Sequence, residues 1–151
     1  MTTTLPTTTS EITAEWMTEA LRESGVIGAD TSVASVVLDL AAAGVGFMGE
    51  IGKVGVVYEG APTDAPTSII AKFPTASVEV RTMMHPARIY EREHRFYAEL
   101  AAKSPLRTPA LFHVTCELAE HPDDERYMFV RPERGRHPHQ SRSRRRGGGG
   151  R

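Results

Sequence analysis

The succession of strand-like and helix-like segments predicts an α+β fold: a five-stranded, mostly antiparallel sheet, one helix crossing it and another ahead of it. Three observations point there. Runs rich in β-branched residues at 33–40, 50–58 and 67–73 follow one another across glycine- and proline-rich connections. Ile89–Leu100 then switches to helical spacing, with Ile89, Tyr90, Phe96, Tyr97 and Leu100 on one stripe. Two more strand-like runs, at 110–115 and 126–130, close the order.

Each element has a local reason. The first helix is expected over Ala14–Glu23: Thr13 is a suitable N-cap, Glu15 and Glu19 suit the positive helix start, and Gly25 ends it. Ile12 and Met17 have the spacing of a hydrophobic staple, and Trp16, Ala20 and Leu21 continue the apolar face. Val33–Leu40 is the first strand, and Glu50–Tyr58 returns as the second, with Val54, Val56 and Tyr58 on one face. Residues 60–66 read as a turn, and Thr67–Phe73 as a third strand ended by Pro74. Residues 75–86 read as a loop; Pro86 opens the crossing helix and Pro105 closes it. Ala110–Thr115 is the fourth strand, Glu117–Glu125 an acidic turn, and Arg126–Val130 the fifth strand.

Composition narrows the classes. At 151 residues, 40% hydrophobic and 25% charged, the chain suits a single soluble globular domain or part of a larger one. The lone Cys116 excludes an internal disulfide framework and suits a reducing cytoplasm; nothing beside it activates the thiol. No apolar run reaches bilayer length, so no membrane partner is expected, and the threonine-rich start has the pattern of a disordered lead over 1–10 rather than a secretory signal. The net charge of −1 conceals a split. Residues 1–130 carry 10 Lys/Arg against 18 Asp/Glu, leaving −8; residues 131–151 carry 8 Arg against 1 Glu, leaving +7. The acidic body argues against nucleic acid as a partner.

Two charges stand where apolar side chains are expected. Lys72 interrupts the run Ile69-Ile70-Ala71-Lys72-Phe73, and Glu93 lies in the middle of the apolar helical stripe. A buried acid needs a cation or a proton, so the two are expected to pair. The alternatives are an edge-strand lysine reaching solvent and a surface glutamate, the state expected of Glu91 and Glu99. His94 and Arg95 are expected in solvent, and His85, His113 and His121 lack metal-ligand spacing. Asp123-Asp124 reads as part of a hairpin turn rather than a metal site.

Upstream lies Gly44-Val45-Gly46-Phe47-Met48-Gly49. Glycines let a backbone approach phosphates and donate N–H groups to them; the alternative is a plain hairpin turn. A dinucleotide-binding motif needs a helix after the glycines, whereas here a strand follows. Glycine loop, strand lysine and helix glutamate, in that order, match the phosphate-handling half of a kinase.

Residues 11–130 resemble the N-terminal lobe of the aminoglycoside phosphotransferase and ecdysteroid-kinase-like family, small-molecule kinases with a protein-kinase-like fold. The resemblance rests on Gly44–Glu50, Ala65–Lys72, Arg92–Tyr97 and Leu106–Pro109. It implies a kinase-like N-lobe in which Gly44, Gly46, Phe47 and Gly49 cover the phosphates of ATP, Lys72 touches the α- and β-phosphates, and Glu93 orients Lys72. In the full-length family the cofactor is ATP with Mg²⁺ and the acceptor a hydroxyl of a small molecule. After Val130 the pattern stops: Arg131-Pro132-Glu133-Arg134-Gly135-Arg136 replaces the expected hinge, and the C-lobe with its catalytic-loop and metal-binding aspartates is absent, so no catalytic residue is assigned in this chain. The expectation is therefore a truncated, inactive lobe with weak nucleotide binding, open to self-association through its exposed inter-lobe face.

Residues 131–151 contain none of the residues A, V, I, L, M, F, W, Y or C. Their Arg, Gly, Pro, His, Gln and Ser content predicts a disordered, frame-shifted reading of GC-rich DNA. The alternative is a genuine arginine-rich tail that binds nucleic acid or anionic membrane. A further alternative for the whole chain is a non-catalytic binding or regulatory module.

Overall fold

Alternation of side chains along the strands decides what each face of the sheet carries, and the sheet decides where the helices sit. The structure, a computed structural model, describes residues 5–46 (backbone alone over 40–46), 49–61, 63–105, 108, 110–122, 124 and 126–133. The elements run α1 (Ala14–Glu23), β1 (Thr31–Gly46), β2 (Gly49–Gly60), β3 (Ser68–Phe73), α2 (Val78–Met84), α3 (Ile89–Arg95), β4 (His113–Glu117) and β5 (Arg126–Pro132), with short 3₁₀ turns between some of them. The five strands form one antiparallel sheet in the order β1-β2-β3-β5-β4.

One face carries Val33, Val54, Val56, Ile69, Ala71, Phe73, Met128 and Val130, and α1 covers it with Trp16, Met17, Ala20 and Leu21. The α1 helix occupies its expected span. The Thr13 hydroxyl accepts from the Trp16 N–H, and at the far end Gly25 adopts φ 71° while the Val26 N–H donates to the Leu21 carbonyl. Ile12 and Met17 are buried in the same core. Thr18 Oγ1 fastens the helix to β1 by accepting from the Val33 N–H at 2.9 Å.

The opposite face is covered chiefly over β4 and β5. There Tyr127 and Phe129 meet Met84 and Tyr90, flanked by Ile89, Tyr97 and Val114. Tyr127–Val130 are all buried because alternate side chains of β5 enter the two cores. Over β1 and the far end of β2 this face is open, and Val37 and Val57 are 60% and 51% exposed.

The sequence expectations need five corrections. Leu5–Ser10, expected to be a disordered lead, pack on the sheet: Pro6 and Thr9 are buried, and Thr9 Oγ1 donates to Glu50. Gly52 makes the space, since a Cβ there would overlap the Thr9 side chain. Residues 75–86 are not a loop: Ser77 caps α2 through the Val80 N–H, and Val80 and Met84 reach the second core. The crossing helix does not begin at Pro86, which sits in a 3₁₀ turn; Arg88 at φ 49° breaks the chain before α3. The helix then widens to a π-turn over Phe96–Leu100, so its stripe no longer follows a 3.6 period and Leu100 is 54% exposed. Glu91 is half-buried against Arg88 at 3.0 Å, not on the wet face.

Strand limits shift as well. The ladder of β1 and β2 runs into the glycine segment, β4 starts at His113 rather than Ala110, and β5 extends to Pro132, so Arg131 and Pro132 belong to the sheet rather than to a tail. The remaining tail, 134–151, lies outside the described residues. Among the described residues, no helix is long and apolar enough to cross a membrane.

Candidate functional site

Lys72 lies between Ile51 of β2 and Phe129 of β5 in the sheet register. Its neighbours Ala71 and Phe73 point into the α1 core, so alternation turns Lys72 to the opposite, partly open face. α3 crosses beneath that face and presents Glu93. The Lys72 ammonium donates to both carboxylate oxygens, at 2.9 Å to Oε1 and 2.7 Å to Oε2. The side chains are 21% and 27% exposed, so the pair is partly sheltered from solvent. The pairing expected from the sequence is therefore present, and the edge-strand reading of Lys72 fails because β3 has neighbours on both sides.

Three tyrosines wall the pair, and the sequence reading missed them. The Tyr127 ring centroid lies 5.9 Å from Lys72 Nζ. Tyr90 stacks on Tyr127 at 5.2 Å, and its hydroxyl accepts from the Thr75 N–H. Tyr97 packs edge-on against Phe129 at 4.7 Å. Burial and the Glu93 carboxylate raise the pKa of Tyr127 and of Tyr97, so both phenols stay protonated beside the pair. Part of the signal was available: Tyr90 and Tyr97 are seven residues apart on one helical stripe.

The glycine segment is a hairpin end. Gly44 lies opposite Ile51, Val45 opposite Glu50 and Gly46 opposite Gly49, with an irregularity between Asp39 and Gly44. Phe47, between the last pair, lies outside the described residues. Gly49 sits directly against the lysine: a Cβ there would come within 2.8 Å of the Phe73 carbonyl and 3.2 Å of Lys72 Cε. Only a residue without a side chain lets this backbone lie so close to the lysine stem.

Chemically, the site is a fixed cation against the buried backbone of Gly49. An ammonium has three N–H donors, and Glu93 takes two, which leaves one for an anion approaching from the open face. Beyond Lys72 the same face carries Ile51 and Ile70, both half-buried, then the Lys53–Glu133 ion pair at 2.9 Å. An apolar floor next to a pinned cation fits a planar base joined to phosphates. Among the described residues no three His, Cys, Asp or Glu side chains converge as a metal site.

Comparison with protein-family models, with curated proteins and with solved structures finds no match to this chain.

Proposed function

We propose that this chain is the nucleotide-binding lobe of an ATP-dependent phosphotransferase acting on a hydroxyl of a small molecule. One observation carries the reading: a lysine from the middle of the sheet, gripped by a helix glutamate, directly beside Gly49 at the end of a glycine hairpin, where an added Cβ would come within 3.2 Å of Lys72 Cε. In this reading Lys72 donates to the α- and β-phosphates, Glu93 holds it in place, and the N–H groups about Gly44, Gly46 and Gly49 face the phosphate chain. Mg²⁺ would neutralise the phosphates; the described residues offer it no cluster of carboxylates, so its ligands would come from a further lobe. With one wall of a cleft, affinity is expected at about 1 mM, near −4 kcal/mol.

A non-catalytic binding module is the second reading, and the exposed Val37 and Val57 on the same face favour it. A nuclear magnetic resonance titration with a non-hydrolysable ATP analogue and Mg²⁺ tests the first. Amide shifts are expected at Gly49, Glu50, Ile51, Ile70 and Lys72 and should vanish in Lys72→Met. Shifts that persist in that variant, or that map to the α1 face, would overturn the nucleotide reading.

A further inference from the structure

We propose that Tyr127 is a positioning residue for the Lys72–Glu93 pair: its buried hydroxyl donates to the Glu93 oxygen that Lys72 releases when the ammonium turns to phosphate. This role presupposes the nucleotide reading and adds to it the group that keeps Glu93 in place while Lys72 is engaged.

A count of donors sets the need. An ammonium has three N–H groups. In the free protein two of them go to Glu93, at 2.9 Å to Oε1 and 2.7 Å to Oε2. One contact to an α-phosphate oxygen and one to a β-phosphate oxygen take two as well. Three donors do not serve four acceptors singly, so one carboxylate oxygen loses its partner. The Glu93 side chain is 27% exposed, which leaves that oxygen only partly open to water. A sheltered carboxylate oxygen without a donor is unfavourable.

Tyr127 has the matching surplus. It is 1% exposed, and its hydroxyl is buried with no hydrogen-bond partner among the described residues. Buried polar groups are rarely left unpaired, and an exception beside a functional pair points to a partner that arrives later. Glu93 is that partner. Burial is the chief cause that raises the Tyr127 pKa, and Glu93 adds to it both by its charge and by drawing on the phenol proton, without a formed bond in the free protein. On Tyr97, Glu93 acts by charge alone. The Tyr127 ring is held where it is needed. It stacks on Tyr90 at 5.2 Å, and Tyr90 precedes Glu93 by three residues on α3, so the two share one helix face. The Tyr90 hydroxyl is itself fixed by the Thr75 N–H. Lys72 Nζ lies 5.9 Å from the Tyr127 ring centroid, so one ring flanks both members of the pair.

The test follows the Tyr127 Cζ resonance in the full chain, isotope-labelled at tyrosine Cζ and assigned among the four tyrosines by Tyr127→Phe. A phenol that begins to donate a hydrogen bond moves this resonance. A non-hydrolysable ATP analogue with Mg²⁺ should move it, and Lys72→Met, which frees Glu93 without any nucleotide, should move it in the same direction. Lys72→Met/Glu93→Leu removes cation and acceptor together, an exchange of an ion pair for apolar side chains that folds tolerate, and should leave it in place. Tyr127→Phe should weaken the analogue about fivefold, the net contribution of one hydrogen bond, and should not lower the thermal midpoint of the free protein, where no bond is lost. Four results would overturn the assignment: a resonance unmoved in Lys72→Met, as when water serves the freed oxygen; a move that persists in Lys72→Met/Glu93→Leu and so reports only the lost cation; analogue affinity unchanged in Tyr127→Phe; or a midpoint lowered in Tyr127→Phe, which would mean a bond already formed. A resonance that moves in Lys72→Met while the analogue fails to bind the wild-type chain would refute the nucleotide reading and leave Tyr127 as the donor to a freed Glu93.

Discussion

Replacing Lys72 by Met and Glu93 by Gln, singly and together, measures what the ion pair contributes. A fully exposed pair contributes about 0–1 kcal/mol. Breaking a fully buried one costs about 3–5 kcal/mol. With side chains 21% and 27% exposed and contact to both carboxylate oxygens, Lys72–Glu93 falls between these limits. A coupling of about 2 kcal/mol is expected. The two single variants should differ. Glu93→Gln keeps one oxygen for the ammonium to donate to, whereas Lys72→Met leaves a carboxylate against Tyr127 and Tyr97 without the ammonium that donated to both its oxygens. Lys72→Met should therefore cost more. Urea unfolding of the four proteins gives the cycle, and on a chain of this size 2 kcal/mol corresponds to roughly 4–8 °C in thermal midpoint. A coupling below about 0.5 kcal/mol, the ordinary error of additivity, would show that the two residues do not act as a pair in solution.

Two further outcomes test other parts of the account. Gly52→Ala should destabilise the chain by about 1–3 kcal/mol and expose residues 5–12 to proteolysis, because the new methyl overlaps Thr9; pairing it with Thr9→Gly should restore much of the loss. His113, against the edge of Trp16, has its pKa lowered from 6.5 chiefly by burial, with Glu23 opposing. The folded state therefore favours the neutral ring, so its contribution is complete above pH 6.5 and declines as pH falls from there toward the lower folded value. Stability measured between pH 7 and pH 5 should fall less steeply in His113→Gln than in wild type.

Much of this architecture was legible because single residues announced it. Thr13, Gly25 and the Trp16/Met17/Leu21 face fixed α1 to the residue. Lys72 and Glu93 were visible as charges breaking two apolar patterns, and that contradiction was enough to pair them across 21 positions. What escaped depended on neighbours distant in the chain. Tyr127 becomes a wall of the site only because β5 inserts beside β3, and no spacing within 126–130 encodes that neighbour. Leu100 left its stripe because the backbone widened to a π-turn, a change that side-chain periodicity does not record. Thr9 looked like part of a polar lead until the missing Cβ of Gly52, 43 residues away, gave it a seat on the sheet. Arg88 shows the same limit: nothing in its side chain foretells the left-handed backbone that separates α3 from the turn before it.

The chain has three lysines, Lys53, Lys72 and Lys103, which makes one chemical experiment decisive. An acyl-phosphate derivative of ATP transfers its acyl group to an amine lying against the bound phosphates. After reaction and peptide mapping, Lys72 should carry the label, free ATP should suppress it, and Glu93→Gln should reduce it. Labelling spread over Lys53 and Lys103 and indifferent to ATP would contradict a phosphate seat at Lys72.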